Sequence, residues 1–244
     1  MGARRIGHGV RSYENTELME ALNASESTIR RDLSDMDAKG LLKKVHGGAV
    51  SLNRKIVTKD QSINEREDQN IEQKQQIAAF AASLIKENDV VFLDAGTTTG
   101  MMIPYLKNTH ATFITNAVSH ARLLSSQGHQ VYVTGGMMKS DTEALIGAET
   151  VEYISNMNFT IGFFGTNGIS IDEGFTTPDM QEGAVKRIAF SHAKEKYILA
   201  DVTKFGKICT STFGKYQDAI IITHSSIPNM YKTHNVVLVD LIEM

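Results

Sequence analysis

Two sets of residues in this 244-residue chain have types and spacings that could do chemistry. The first lies within "SESTIRRDLSDMDAKGLLKKVHGGAV", residues 25–50. Thr28, Arg30 and Arg31 stand near the start of a helical stretch there, and Lys43, Lys44 and His46 stand close to a Gly-Gly tip. Hydroxyl, guanidinium and ammonium groups arranged in this way suit the phosphates of a polyanion. The second set follows a series of short apolar runs. "AGTTTG", after "VVFLD", offers the Thr97, Thr98 and Thr99 hydroxyls and the amides of a helix start, all donors to a phosphate. Gly96 is expected to let the backbone approach a ligand or take a positive φ. The loop is not a Walker loop, because no Gly-Lys-[Ser/Thr] follows, and a Thr-rich helix cap is the competing reading. After "ATFIT", Asn116 can cap a helix or hold a sugar hydroxyl; after "QVYVT", Gly135 and Gly136 permit close approach; after "YILAD", Asp201 and Lys204 stand at a strand end.

The first set needs a scaffold of short helices. "YENTELMEAL" reads as a helix with Leu18, Met19 and Leu22 on one face. "NAS" breaks it, and Ser25 is placed to cap the next helix. In that helix Ile29, Leu33 and Met36 recur at i, i+4, i+7 as the buried stripe, with Thr28, Arg30 and Arg31 pointing away. Gly40 ends the helix. "LLKKVHGGAV" then reads as strand, turn and strand. Helix, tight turn, helix and basic wing is the layout of a winged helix-turn-helix, whose second helix enters the DNA major groove. An amphipathic helical hairpin with a merely solvated charged face is the competing reading. Charge favours the first: residues 1–55 hold ten Lys/Arg against seven Asp/Glu, whereas the remainder holds fifteen against twenty-one.

The second set needs an α/β scaffold. "SLNRKIVTKDQSINEREDQN" is polar and aperiodic and reads as linker, and "IEQKQQIAAFAASLI" carries Ile77, Ala78, Ala81, Leu84 and Ile85 at helical spacing. Beyond it the runs "VVFLD", "ATFIT", "QVYVTG", "FTIGFFG", "KYILAD", "AIIITH" and "VVLVD" read as strands. Helical stretches such as "NAVSHARLLSSQG" and "MQEGAVKRIAFSHAK" lie between several of them. That alternation predicts a largely parallel sheet with ligands at the C-terminal strand ends.

Composition removes other classes. No apolar run is long enough for a membrane span, and "MGARRIGHGVRS" lacks the core of a secretory signal. Cys209 is the only cysteine, so a disulfide framework and a thiolate zinc site are both excluded, and a reducing cytoplasm is the expected location. The eight His show no HExxH spacing, so neither a metal nor any other cofactor is expected. The Met pair in "GMMKSDTEALIG" reads as core filler, and Cys209 as a buried thiol.

The stretch from Ser25 to Val50 closely resembles the recognition helix and wing of the DeoR/GlpR family of bacterial repressors. The shared pattern is Ser-x-x-Thr-[Ile/Val]-Arg-Arg-Asp-Leu, then Leu, Gly-x-[Leu/Ile] and His-Gly-Gly-Ala. "LDAGTTT", "TNA", "GG", "IGFFGTNGIS…GFTTPDMQEGAVKRIAF" and "ADVTKFGK" resemble the effector domain of the same family, so the likeness covers about residues 15–244. It is nearest the regulators of fructose, lactose or related phosphotransferase sugar operons. The resemblance implies a winged helix-turn-helix over 1–52, a linker over 53–70, and over 71–244 a Rossmann-like domain related to ribose-5-phosphate isomerase. Ser25, Ser27, Thr28, Arg30, Arg31, Lys43, Lys44, His46 and Gly47 would meet DNA. Asp94, Gly96, Thr97, Thr98, Thr99, Asn116, Gly135, Glu182, Lys186, Asp201 and Lys204 would surround a phosphorylated sugar, with the Thr loop and Lys204 on phosphate. In one respect the chain departs from the pattern. The family begins with a full helix of about four turns, whereas "MGARRIGHGVRS" has no helical period, so the apparent first helix is missing.

The expected protein is therefore a non-enzymatic, homo-oligomeric repressor of a sugar operon, released from its operator by a phosphosugar. Two alternatives remain at this stage. One is a sugar-phosphate isomerase-like enzyme using Asp94, Glu182 or Asp201 as general base. The other is a sensor whose shortened head no longer binds DNA.

Overall fold

The computed structural model describes residues 4–6, 10–39, 41–51, 56–59, 66, 69–106 and 110–241. They form two compact units, residues 1–55 and 56–244.

In the first unit, helices α1 (Asn15–Leu22) and α2 (Glu26–Ala38) are joined by a tight turn. Asn23 supplies the left-handed residue that ends α1 (φ 48°), and the Ser25 hydroxyl accepts the Thr28 amide at 3.3 Å to cap α2. Strands β1 (Arg4–Ile6), β2 (Val10–Glu14), β3 (Leu42–Val45) and β4 (Gly48–Ser51) make an antiparallel sheet in the order β1-β2-β4-β3. The wing tip needs its glycines: Gly47 has φ 85°, and a Cβ on Gly48 would fall 2.1 Å from the Tyr13 carbonyl oxygen. The segment before α1 is thus a hairpin that extends the wing, with Ser12 opposite Val50. Ile29, Leu33 and Ala49 are the buried core, flanked by Leu18, Met19, Ala24 and Leu42. Met36, expected on the buried stripe, is 39 % exposed, and Leu22 is 65 % exposed. The α1 helix buries none of its residues fully, so cover reaches only the Ile29–Leu33 part of the stripe. Gly40 lies outside the described residues.

The second unit is built on seven parallel strands. They are β6 (Val90–Leu93), β7 (Thr112–Thr115), β8 (Gln130–Val133), β11 (Phe159–Gly165), β14 (Ala193–Leu199), β17 (Ile220–Thr223) and β18 (Val236–Leu238). Their order is β18-β17-β14-β11-β6-β7-β8, a doubly wound sheet whose direction of winding reverses between β6 and β11. All seven are the apolar runs singled out above. Burial on both faces explains the continuous apolar runs of the central strands β6, β7 and β11, whereas β8, at one edge, is exposed along most of its length. Val91, Leu93, Ile161 and Phe163 face one core, while Phe92 and Phe164 face the other. The helices α3 (Ile71–Ser83), α4 (Thr97–Gly100), α5 (Val118–Ser126), α6 (Ala148–Ser155) and α7 (Met180–His192) connect or cover the strands.

Smaller elements depart from the sequence reading. Within the expected linker, β5 (Ile56–Val57) pairs in parallel with β15 (Ile208–Cys209). Strands β12 (Gly168–Ser170), β13 (Gly174–Thr177) and β16 (Ser211–Gly214) form a separate antiparallel sheet. The Met pair is not core filler: as strand β9 (Met137–Met138), paired with β10 (Leu145–Ile146), its residues are 60 % and 56 % exposed. A two-residue strand on the rim has no second layer to bury it. Cys209 is buried. Among the described residues, no helix is long and apolar enough to cross a membrane.

Candidate nucleic-acid interface and effector site

On the first unit, the capping of α2 gathers three hydroxyls at its start. Ser25 Oγ lies 2.9 Å from both Ser27 Oγ and Thr28 Oγ1. Arg30 and Arg31 project from the open side, with side chains 64 % and 74 % exposed and paired to Glu26 (2.7 Å) and Asp32 (3.6 Å) of their own helix. Lys44 does something the sequence did not announce. Its ammonium donates to Ser34 Oγ (2.5 Å) and the Arg30 carbonyl (3.3 Å), tying the wing to α2. His46 and Gly47 are exposed at the tip; the Lys43 side chain lies outside the described residues.

In the second unit, the loops after β6 and β11 meet at the winding reversal and enclose an inner cavity. Of the residues expected around an effector, Gly96, Thr97, Thr98, Glu182, Lys186, Asp201 and Lys204 line it. Asp94 does not line the cavity but sits behind it: it is 2 % exposed and accepts the Gly165 amide at 2.9 Å and the ammonium of the lining residue Lys186, which also donates to the Gly165 carbonyl at 3.1 Å. Asp201 is equally buried; its Oδ1 accepts the Thr203 amide (2.9 Å) and the Asn70 carboxamide (3.2 Å). Lys204 Nζ stands 3.8 Å from Asp201 Oδ2. The cavity is about 30 Å³, room for about one water molecule.

Three expected residues do other work. Thr99 turns inward: its hydroxyl donates to the Asp94 carbonyl (2.6 Å) and accepts the Gly96 amide (2.9 Å), so it braces the loop. Asn116 does not line the cavity; its carboxamide donates to the Leu145 carbonyl at 3.2 Å and holds β10 in place. Gly135 is exposed and outside the cavity, where its carbonyl accepts Thr150 Oγ1 at 2.5 Å. The crowded glycine is Gly136 (φ 123°), whose Cβ would fall 2.5 Å from the Ile146 carbonyl oxygen. Gly96 has φ −109°, so it does not need the left-handed region; a Cβ there would press on Thr99 Oγ1 at 3.1 Å.

Other lining residues escaped the sequence reading. Arg66, Gln69 and Lys74 come from the expected linker and α3, and Thr166 and Asn167 from the loop after β11. Lys74 had a signal: it is a lysine on the Ile77–Ala78–Ala81 stripe, and it is 3 % exposed there. Lys139 and Thr142 reach across from the β9–β10 turn to Glu182 Oε1, both at 2.9 Å. Asp179 caps α7 through the Gln181 and Glu182 amides (2.8 and 3.0 Å) and pairs with Lys139 at 3.1 Å. Burial works against the Lys139 charge, yet Glu182 and Asp179 outweigh it and raise its pKa. Burial likewise disfavours the Asp179 carboxylate, but the α7 amides and Lys139 prevail and lower its pKa. Hydrogen-bond donors and paired charges thus gather at the winding reversal, where doubly wound sheets place their ligands.

Comparison with known proteins matches this arrangement at both ends of the chain. The DeoR-like helix-turn-helix domain family matches residues 11–55, and the DeoR C terminal sensor domain family matches residues 69–225. The chain is 43 % identical over 208 residues to an uncharacterized HTH-type transcriptional regulator, FruR, of Bacillus subtilis, covering 85 % of this chain and 82 % of that one. It is 37 % identical over 205 residues to the lactose phosphotransferase system repressor of Staphylococcus epidermidis, covering 83 % and 81 % respectively. The HTH-type transcriptional regulator GlpR of Haloferax volcanii is 35 % identical over 200 residues, covering 81 % and 76 %. Among solved structures, ribose 5-phosphate isomerase A from Methanocaldococcus jannaschii aligns with a TM-score of 0.43 at 17 % identity, over 56 % of this chain and 55 % of that one. The chain belongs to the DeoR family of helix-turn-helix transcriptional regulators.

Proposed function

We propose that this regulator works in the cytoplasm, represses a sugar-metabolism operon as a homo-oligomer, and leaves its operator when a phosphorylated sugar binds the second unit without being turned over. The observation that carries the reading is the convergence of Thr97, Thr98, Asn167, Asp201 and Lys204, with Lys186 of α7, where the loops after β6, β11 and β14 meet. The hydroxyls and Lys204 suit a phosphate dianion. The names of relatives, among them the lactose phosphotransferase system repressor, support a sugar operon as the target.

The Asp94–Lys186 pair bears on the non-catalytic part of the proposal. A general base must be free to take a proton, whereas Asp94 is held by an ammonium and an amide. Calorimetry with hexose and triose phosphates, followed by product analysis of the same mixtures, tests both parts. Binding without conversion is expected, with Lys204→Ala losing phosphate affinity. Isomerisation abolished by Asp94→Asn, Glu182→Gln or Asp201→Asn would replace this reading with an enzymatic one.

A further inference from the structure

Beside the inner cavity, and sharing Gly96 and Thr97 with it, lies a cleft of about 780 Å³. That volume falls within the roughly 300–1,000 Å³ usual for small-molecule sites. Its polar lining is Ser119, His120, Ser140, Asp141, Thr142 and Glu143, and no Lys or Arg lines it among the described residues. Two carboxylates without a cation disfavour a phosphate and accept hydrogen bonds from hydroxyls. His120 at the start of α5 is 8 % exposed, and its buried Nδ1 has no hydrogen-bond partner. Gly100 makes room for the ring, since a Cβ there would fall 2.5 Å from His120 Nε2. Burial pushes the imidazole down to about 4 against a weaker opposing pull from Asp94. The ring is therefore neutral at pH 7, and its Nε2, beside Gly100 of the cleft lining, donates to or accepts from a hydroxyl according to tautomer.

We propose that this cleft receives the hydroxyl-bearing carbon chain of the effector, read by His120, while the phosphate end lies at the Gly96–Thr97 segment common to both hollows. The inference rests on the phosphosugar reading for the phosphate end alone; the cleft itself selects a polyol. It also accounts for the disparity in size, because the inner cavity has no room for a sugar whereas the adjoining cleft has room to spare.

The test is calorimetry of the full chain and two variants against inorganic phosphate, free hexoses and aldo- and ketohexose phosphates. His120→Phe keeps a ring and removes both nitrogens. Ser119→Trp fills the cleft from its rim and decides the matter if unfolding curves show that His120→Phe has lost its fold. The best hexose phosphate is expected to weaken about tenfold or more in both variants, the size of one lost hydrogen bond, with inorganic phosphate unchanged. Hexose phosphate binding at wild-type strength in folded variants overturns the inference, as does a wild type that binds hexose phosphate no better than phosphate. If free hexoses bind in a His120-dependent way and nothing phosphorylated does, the phosphosugar reading fails and the cleft assignment stands. Binding of no panel member overturns both.

Discussion

Arg30 and Arg31 each lean on a carboxylate of their own helix, and exposed pairs of that kind are worth only about 0–1 kcal/mol. A nucleic acid can therefore take over either guanidinium at small cost. Losing a base-edge contact should cost about 1–3 kcal/mol and relax specificity at one position. Losing a phosphate contact should weaken all sequences alike and flatten the salt dependence. Gel shifts of Arg30→Ala and Arg31→Ala at several salt concentrations are expected to show one behaviour or the other for each. Unchanged binding in both would remove α2 from the interface. His120 makes a different demand. Its ordinary value is 6.5 and its folded value about 4, lowered by burial and partly offset by Asp94. Between those values the unfolded chain takes a proton that the folded chain refuses. Stability is thus full above pH 6.5 and falls as the pH drops toward 4, by about 3 kcal/mol across the window. Denaturant unfolding should show His120→Phe free of that component; parallel pH curves for variant and wild type would contradict it. At this scale the sequence was legible wherever a residue's backbone role was fixed, as for the Ser25 cap and the Gly47–Gly48 tip. It was not legible for Thr99 and Asn116, because a hydroxyl or carboxamide at a strand end can face a ligand or brace its own loop, and only tertiary packing chooses.

The α7 helix shows how an element sets the site. Its register places Glu182 and Lys186 one turn apart on the face toward Asp94, and its Asp179 cap also holds Lys139. Asp179→Ala should lower stability by about 1 kcal/mol or somewhat more, or roughly 2–4 °C in Tm for a chain of this size. A calorimetric scan with no shift would mean that the α7 cap contributes little. The central parallel strands could be read from sequence because each is a β-branched, apolar run buried on both faces, whereas the edge strands β8, largely exposed, and β18, half-buried, were legible from composition alone. Strands β5, β9, β10 and β15 could not, since two residues cannot display a period of two and only their partners define them. Met36 failed for a related reason: periodicity marks a stripe, whereas cover by other elements decides how much of it is buried.

For the whole molecule, a basic unit and an acidic unit divide the work between a polyanion and a small ligand. One winged unit reads only a few base pairs, so operator recognition calls for two heads on half-sites about one helical turn or a multiple apart. Sedimentation at micromolar concentration should therefore give a dimer or tetramer. The open edge of β8, with Tyr132 and Val133 46 % and 41 % exposed, is one surface available for it. A strict monomer on and off DNA would count against repression by this route. In the proposed mode of action, sugar phosphate and operator oppose each other through one molecule. Reciprocal coupling of this kind is typically 1–3 kcal/mol, or about 5- to 150-fold in affinity. The most direct measurement is fluorescence anisotropy of DNA from the protein's own operon, titrated with the full chain in the presence and absence of saturating sugar phosphate. A fall in operator affinity of about that size is the result expected, and an operator affinity that the bound sugar phosphate leaves unchanged would contradict the account.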